Sequence, residues 1–256
     1  MNVIRKQIYA GFECTKIKNE SLALWVTTSV GPRVIGLELT SGENLFAQLP
    51  GATIECPGVG DYQLRGGHRL WQAPEEPKST YLPDDHPISV SEAAEGVTFT
   101  QPVEPQTGIE KSLQISLTNQ EARVIVDHRL KNHGSETVEL AAWAITQLKP
   151  GGSAILPQTS DLADQYGLLP NRQVALWPYT RANSKSITWG DQFIFIRADK
   201  FDGALNIGFT NPMGWIGYMR EIVLFIKQAD FLPDKDYYEF NSSNECYCKQ
   251  SFMELE

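Results

Sequence analysis

Long apolar runs are missing from this sequence. Nowhere does one approach the ~18 residues that suggest a membrane span. The start, MNVIRKQIYAGFECTKIKNESLALWV, meets a polar residue every few positions, unlike a signal peptide. A soluble, cytoplasmic protein with no membrane partner is therefore expected. Positive charge is also scarce: 22 Lys and Arg face 31 Asp and Glu, a net charge of -9. Phosphate backbones need a concentrated cationic surface, so no nucleic-acid partner is expected, and a small neutral ligand fits better. Only four cysteines occur, Cys14, Cys56, Cys246 and Cys248. That is too few for a disulfide framework, and the Cys246/Cys248 pair has no second pair at zinc-ligand spacing; all four read as buried thiols, with no metal centre. A G-x-S-x-G elbow, a phosphate-cradling glycine loop and an H-E-x-x-H helix are all absent, and no cofactor is implied. Repeats, low-complexity tracts and glycine- or serine-rich linkers are missing too, which favours one domain spanning residues 1–256.

What is present is a succession of short β-prone runs, and hydrophobic residues make up 41% of the chain, enough for a sizeable core. "SLALWVTTSV", "RVIGLEL", "GVTFTQPV", "KSLQISLT", "ARVIVDHRLKNH", "TVELAAWAITQL", "QFIFIRAD", "ALNIGFT", "EIVLFIKQAD" and "ECYCKQSFMELE" are rich in Val, Ile, Leu, Phe and Trp. "SGEN", "HGSE", "KPGG" and "NPMG" punctuate them as turns. In "RVIVDHRLKN" Val124, Val126, His128 and Leu130 alternate with Arg123, Ile125, Asp127 and Arg129, with Ile125 out of pattern. Period 2 of that kind marks a half-buried antiparallel strand, and it places Asp127 and His128 on opposite faces. The fold class is all-β, a large antiparallel β-sandwich. The last run stops at "SFMELE" without a closing turn, as an edge strand would, or as a chain that continues into one more strand would.

One segment fits neither a strand core nor an ordinary turn: "LRGGHRLWQAPEEP", residues 64–77, which combines Arg65, His68, Arg69, Trp71 and Glu75. His68 can donate or accept a proton near neutral pH, and the guanidinium forks of Arg65 and Arg69 suit a carboxylate or paired sugar hydroxyls. A structural pairing of these groups with Glu75 or Glu76 explains the same residues. In a regular strand Arg69 and Trp71 share one face and His68 the other, so His68 and Trp71 border one surface only if Gly66 and Gly67 form a bulge or the segment is a loop. Trp71, Trp143, Trp177, Trp189 and Trp215 are potential sugar platforms or core residues. Glu254 and Glu256 fall on one strand face, where two carboxylates raise each other's proton affinity, or where they are simply solvated; Glu245 opens the preceding run and can join them. Asp84, Asp85 and His86 in "YLPDDHPI" read as an exposed loop.

Four blocks, "GPRVIGLELTSGENLF", "GGHRLWQAPE", "HRLKNHGSETVELAAWAITQLKPGG" and "ECYCKQSFMELE", resemble a family of the galactose mutarotase-like superfamily with an aldose epimerase-like domain. The resemblance spans nearly the whole chain, and "GGHRLWQAPE" is its most specific part. It implies a supersandwich with a sugar-sized cleft, a carbohydrate ligand and interconversion of α and β anomers. In such enzymes a glutamate removes the anomeric hydroxyl proton while a histidine protonates the ring oxygen. The resemblance points to Glu256 as base, with Glu254 as its alternative, and to His68 as acid. It implies Arg33 and Arg69 on sugar hydroxyls and Trp71 stacked on the ring; Glu75 and Glu245, from the reading of the residues themselves, are further candidate substrate contacts. Where these enzymes carry a second histidine, this sequence offers "WAITQL" and Thr146. A carbohydrate-binding protein without catalysis, or an accessory sandwich of a lyase or hydrolase, needs only part of this set.

Overall fold

The computed structural model describes residues 2–40 and 42–256. It is almost entirely β, with 50% strand and 4% helix, and its antiparallel sheets pack as sandwich layers, as the sequence predicts. Two compact units make up the chain, Met1–Thr146 and Gln147–Glu256.

The first unit carries β1 (Asn2–Tyr9), β2 (Phe12–Lys18), β3 (Leu22–Thr27), β4 (Val34–Leu39), β5 (Gln48–Ile54), β6 (Tyr62–Ala73), the short helix α1 (Pro77–Thr80), β7 (Ser89–Ala93), β8 (Gly96–Thr100), β9 (Ile109–Leu117), β10 (Val124–Asn132) and β11 (Ala141–Leu148), whose end opens the second unit. One sheet runs β1-β2-β3-β4-β6-β11, with β5 also paired to β6, and the other runs β10-β9-β8-β7. Between them lie alternating apolar side chains, including Val97, Phe99, Ile109, Leu113 and Ile115, all buried. β10 shows the period read from its sequence: Val124, Val126, His128 and Leu130 are half-buried, and Ile125, Asp127 and Arg129 are exposed.

The glycine pair shapes β6. Arg65, Gly66 and Gly67 all have positive φ, at 53°, 91° and 75°. There the strand changes partners: its first half pairs with β5 through Gln48↔Gly66, and its second half meets β4 at Val34↔His68. The backbone of Gly67 donates to the Ala47 carbonyl at 3.1 Å, so the two chains approach where no side chain intervenes. The glycine pair is thus the bend at which β6 passes from β5 to β4, while the register shift between β5 and β6 falls at Leu49–Thr53. Alternation resumes directly after the glycine pair, and this decides where His68 and Trp71 point.

The second unit carries β12 (Ser153–Pro157), β13 (Val174–Leu176), β14 (Ile187–Thr188), β15 (Phe193–Arg197), β16 (Leu205–Phe209), β17 (Trp215–Arg220), β18 (Val223–Gln228), the short α2 (Tyr238–Asn241), β19 (Asn244–Lys249) and β20 (Phe252–Leu255). Its strands run β14-β15-β12-β17-β18 and β20-β19-β16-β13. The final run of the sequence is two strands rather than one: Lys249 pairs with Phe252, and Gln250 and Ser251 make the turn of a tight hairpin. Its lone-strand reading is corrected by that turn, which carries neither glycine nor proline to announce it.

All four cysteines are free thiols and buried, as expected. Burial pushes the Cys14 and Cys248 thiols up to about 12 and raises Cys56 and Cys246 as well. The thiolate is the reacting form, so the native protein should give no fast reaction with a disulfide reagent at neutral pH, and all four thiols should titrate on unfolding. Rapid labelling of even one thiol in the native state would contradict this placement.

Candidate functional site

β6 and β11 lie side by side, so residues of the same parity share a face. His68 and Thr146 meet on one face, with His68 Nδ1 2.8 Å from Thr146 Oγ1. On the other face, Arg69 lies with its guanidinium carbon 4.0 Å from the Trp71 ring centroid, and Trp71 meets Trp143 edge-on at 5.6 Å. A second imidazole reaches His68 from the facing sheet: His68 Nε2 is 2.7 Å from His128 Nε2, across 60 residues of sequence. The rings tilt by 60° with centroids 5.0 Å apart. His68 is 8% exposed, so the pair stands at the margin of the interior rather than deep within it.

Several expected site residues have different work. Arg33 is 0% exposed, and its Nη1 donates to the carbonyls of Leu64 at 2.8 Å and Gly66 at 3.0 Å. Its Nη2 donates to the Tyr62 hydroxyl at 2.5 Å and to Asp84 at 3.1 Å. These bonds hold the strand around the positive-φ glycine pair, which corrects the expectation that Arg33 grips sugar hydroxyls: a guanidinium with no exposed surface offers a ligand nothing. The "PDDH" loop is likewise more than surface, since Asp84 is 14% exposed and takes Arg33 and Arg65, while Asp85 also takes Arg65. Burial alone would raise the Asp84 carboxyl, but Arg33 and Arg65 outweigh it and hold the group below its ordinary value. Trp71 is buried in a cluster with Cys56, Tyr62 and Ile145, against Trp143 and Tyr81, so it is a core residue and not a ring platform. Glu75 is exposed and accepts from the Tyr81 hydroxyl.

Among the described residues, two depressions of the first unit stand out. One, of about 10 Å³, is bordered by Tyr62, Arg69, Trp71, Asp84, Glu104 and Lys111, and has room for one water at most. Beside it Lys111 Nζ contacts Glu104 Oε1 at 2.6 Å, a buried ion pair that the sequence did not announce. The other, of about 360 Å³, lies at the turns around Lys18–Glu20 and Asn119–Gln120 and includes none of the expected residues.

In the second unit the β19–β20 register sets Tyr247 opposite Glu254, and Glu245 and Glu256 exchange backbone hydrogen bonds. Directly opposed residues share a face. Glu245, Glu254 and Glu256 therefore line one side of the hairpin together with Tyr247, as the two-residue spacing predicts for the last two acids. Glu254 accepts from Gln147 Nε2 at 2.8 Å, and Glu245 accepts from Asn206 Nδ2 at 3.1 Å. Carboxamides orient both buried carboxylates, and neither Gln147 nor Asn206 was singled out from sequence. His128 was legible in part: its alternation pointed it inward, but nothing local identified His68 as its neighbour.

No family model and no curated protein matches the chain. Among solved structures it is similar to a 4-alpha-glucanotransferase from Thermococcus litoralis, at 12% identity and a TM-score of 0.43, over 100% of this chain and 37% of that one. The chain thus spans well under half the length of that structure.

Proposed function

We propose that this chain binds a carbohydrate and interconverts its anomers by general acid/base catalysis, with His68 as the acid. The observation that carries the reading is the setting of His68 just past the glycine pair, its ring oriented at Nδ1 by the Thr146 hydroxyl at 2.8 Å. A general acid must present one nitrogen in a defined direction, and a hydroxyl on the other nitrogen does this for either tautomer. The motif resemblance around "GGHRLWQAPE" supplies the reaction class. Protonation of the ring oxygen by His68 accompanies removal of the anomeric hydroxyl proton. The bond from C1 to the ring oxygen breaks, the C1 aldehyde rotates, and closure returns both protons. The resemblance assigns the base to Glu256, with Glu254 as the alternative.

A second reading, carbohydrate binding without catalysis, is favoured by the engagement of both His68 ring nitrogens inside the first unit. Polarimetry of freshly dissolved aldoses, with the spontaneous rate subtracted, separates the two. Under the enzymatic reading His68→Asn should lower turnover by roughly 100-fold, the usual share of general acid catalysis, with little change in KM. Glu256→Gln should do the same if it is the base, and an active Glu256→Gln variant would move the role to Glu254. A protein that binds an aldose, seen as a thermal shift, yet leaves its mutarotation at the spontaneous rate would establish the binding reading instead.

A further inference from the structure

We infer that Thr146, His68 and His128 form one hydrogen-bonded chain carrying a single proton between the two imidazoles, in which His128 is the positioning residue that sets the protonation of His68. The catalytic consequence rests on the acid role proposed for His68; the chain itself does not.

The argument begins with a contact between like atoms. His68 Nε2 and His128 Nε2 are 2.7 Å apart. Two imidazole nitrogens at that separation must share one proton: with none, two lone pairs face each other, and with two, two N–H groups collide. The tautomers of His68 and His128 are therefore coupled. If His128 Nε2–H donates, His68 accepts at Nε2, carries its own proton on Nδ1 and donates to Thr146 Oγ1, 2.8 Å away. If His68 Nε2–H donates to His128, the Thr146 hydroxyl turns and donates to His68 Nδ1. A hydroxyl both donates and accepts, so threonine closes the chain in either direction. Valine, which has the same shape, would not.

The fold holds the chain together from both sheets. Val34↔His68 pairing places His68 just beyond the glycine pair, and His128↔Leu113 pairing seats the second ring beside a buried leucine. Bringing the two histidines together thus depends on β6 and β10 occupying facing layers. Adding one proton to the pair makes the contact charge-assisted, and the cation can be centred on either ring. To protonate a sugar oxygen, His68 Nε2 leaves His128 while Thr146 holds the ring at Nδ1; the extra proton of the cationic pair passes to the sugar, and the neutral pair then re-forms.

The test is a 15N NMR experiment on the full chain labelled at histidine. A scalar coupling between His68 Nε2 and His128 Nε2 across the shared proton is the expected result. Its absence, with both Nε2 atoms protonated or both unprotonated, would overturn the chain whatever the protein's activity. His128→Phe keeps a flat ring but removes the nitrogen; turnover should fall on the order of 10-fold to 100-fold with KM held, as loss of orientation predicts. An unchanged turnover in a folded His128→Phe protein would remove the positioning role. Observation of the coupling in a protein with no sugar activity would keep the chain and reject the epimerase reading, whereas activity without the coupling would do the reverse.

Discussion

Replacing Asp84 with alanine should cost the first unit about 3–5 kcal/mol, because it leaves a buried cation without its counter-charge. Arg33 has no exposed surface, and Asp84 is the carboxylate that neutralises it while also taking Arg65. Burial alone would pull the Arg33 guanidinium down; Tyr62 and Asp84 reverse that and raise it. Removing Asp84 therefore exposes the full desolvation penalty of a group whose remaining partners are two carbonyls and a phenol. Asp84→Asn should cost less, since an amide oxygen still accepts one of the two guanidinium bonds. In urea denaturation the midpoint should drop with little change in slope. A loss below about 1 kcal/mol for Asp84→Ala would mean that Arg33 is satisfied without it. The pH dependence has a defined sign. The folded carboxyl is held below its unfolded value, so its contribution is complete above the ordinary carboxylate range near ~4 and is lost as pH falls through the depressed folded value. Asp84→Asn should accordingly flatten the acid limb of the stability profile.

Gly67→Ala should destabilise the first unit by roughly 3 to 5 kcal/mol, the sum of left-handed strain and a forced backbone displacement. Gly67 has a φ of 75°, and a Cβ there would sit 2.2 Å from the Val34 carbonyl oxygen. At Gly66, with φ of 91°, a Cβ would sit 2.0 Å from the Ala47 oxygen. Both obstacles are backbone atoms, so neither can swing aside as a flexible side chain would. Gly11 provides the control: its φ is 86°, yet nothing lies within 4 Å of the place a methyl group would take, so Gly11→Ala should show only the conformational cost of about 1 kcal/mol. The difference between the two substitutions measures the close approach itself. Equal losses would show that β6 and β4 can part at no cost. His68 follows Gly67 directly, so its 15N signals should shift in Gly67→Ala and stay in place in Gly11→Ala.

Much of this was written locally in the sequence, and the part that was has a common physical basis. Side-chain direction along a strand has period 2, so "RVIVDHRLKN" alone was sufficient to turn His128 inward, and "MELE" alone placed Glu254 and Glu256 on one face. Strand alternation likewise set His68 and Trp71 on opposite faces, whereas the paired glycines left open in the sequence whether that alternation would be broken before His68. The all-β class followed from the recurrence of short β-prone runs between turn residues. Tertiary structure decided which polar groups meet. "GPRV" and "YLPDDHPI" lie 51 residues apart at Arg33 and Asp84, and neither stretch carries a sign that the arginine is wholly enclosed and the aspartate is its counter-charge. The same holds for the imidazoles of His68 and His128, brought together only because β6 and β10 fall in facing sheets. Periodicity fixes a direction relative to the chain's own backbone; the identity of the neighbour depends on strand order and layer packing, which are properties of the whole unit and leave no mark on any short segment.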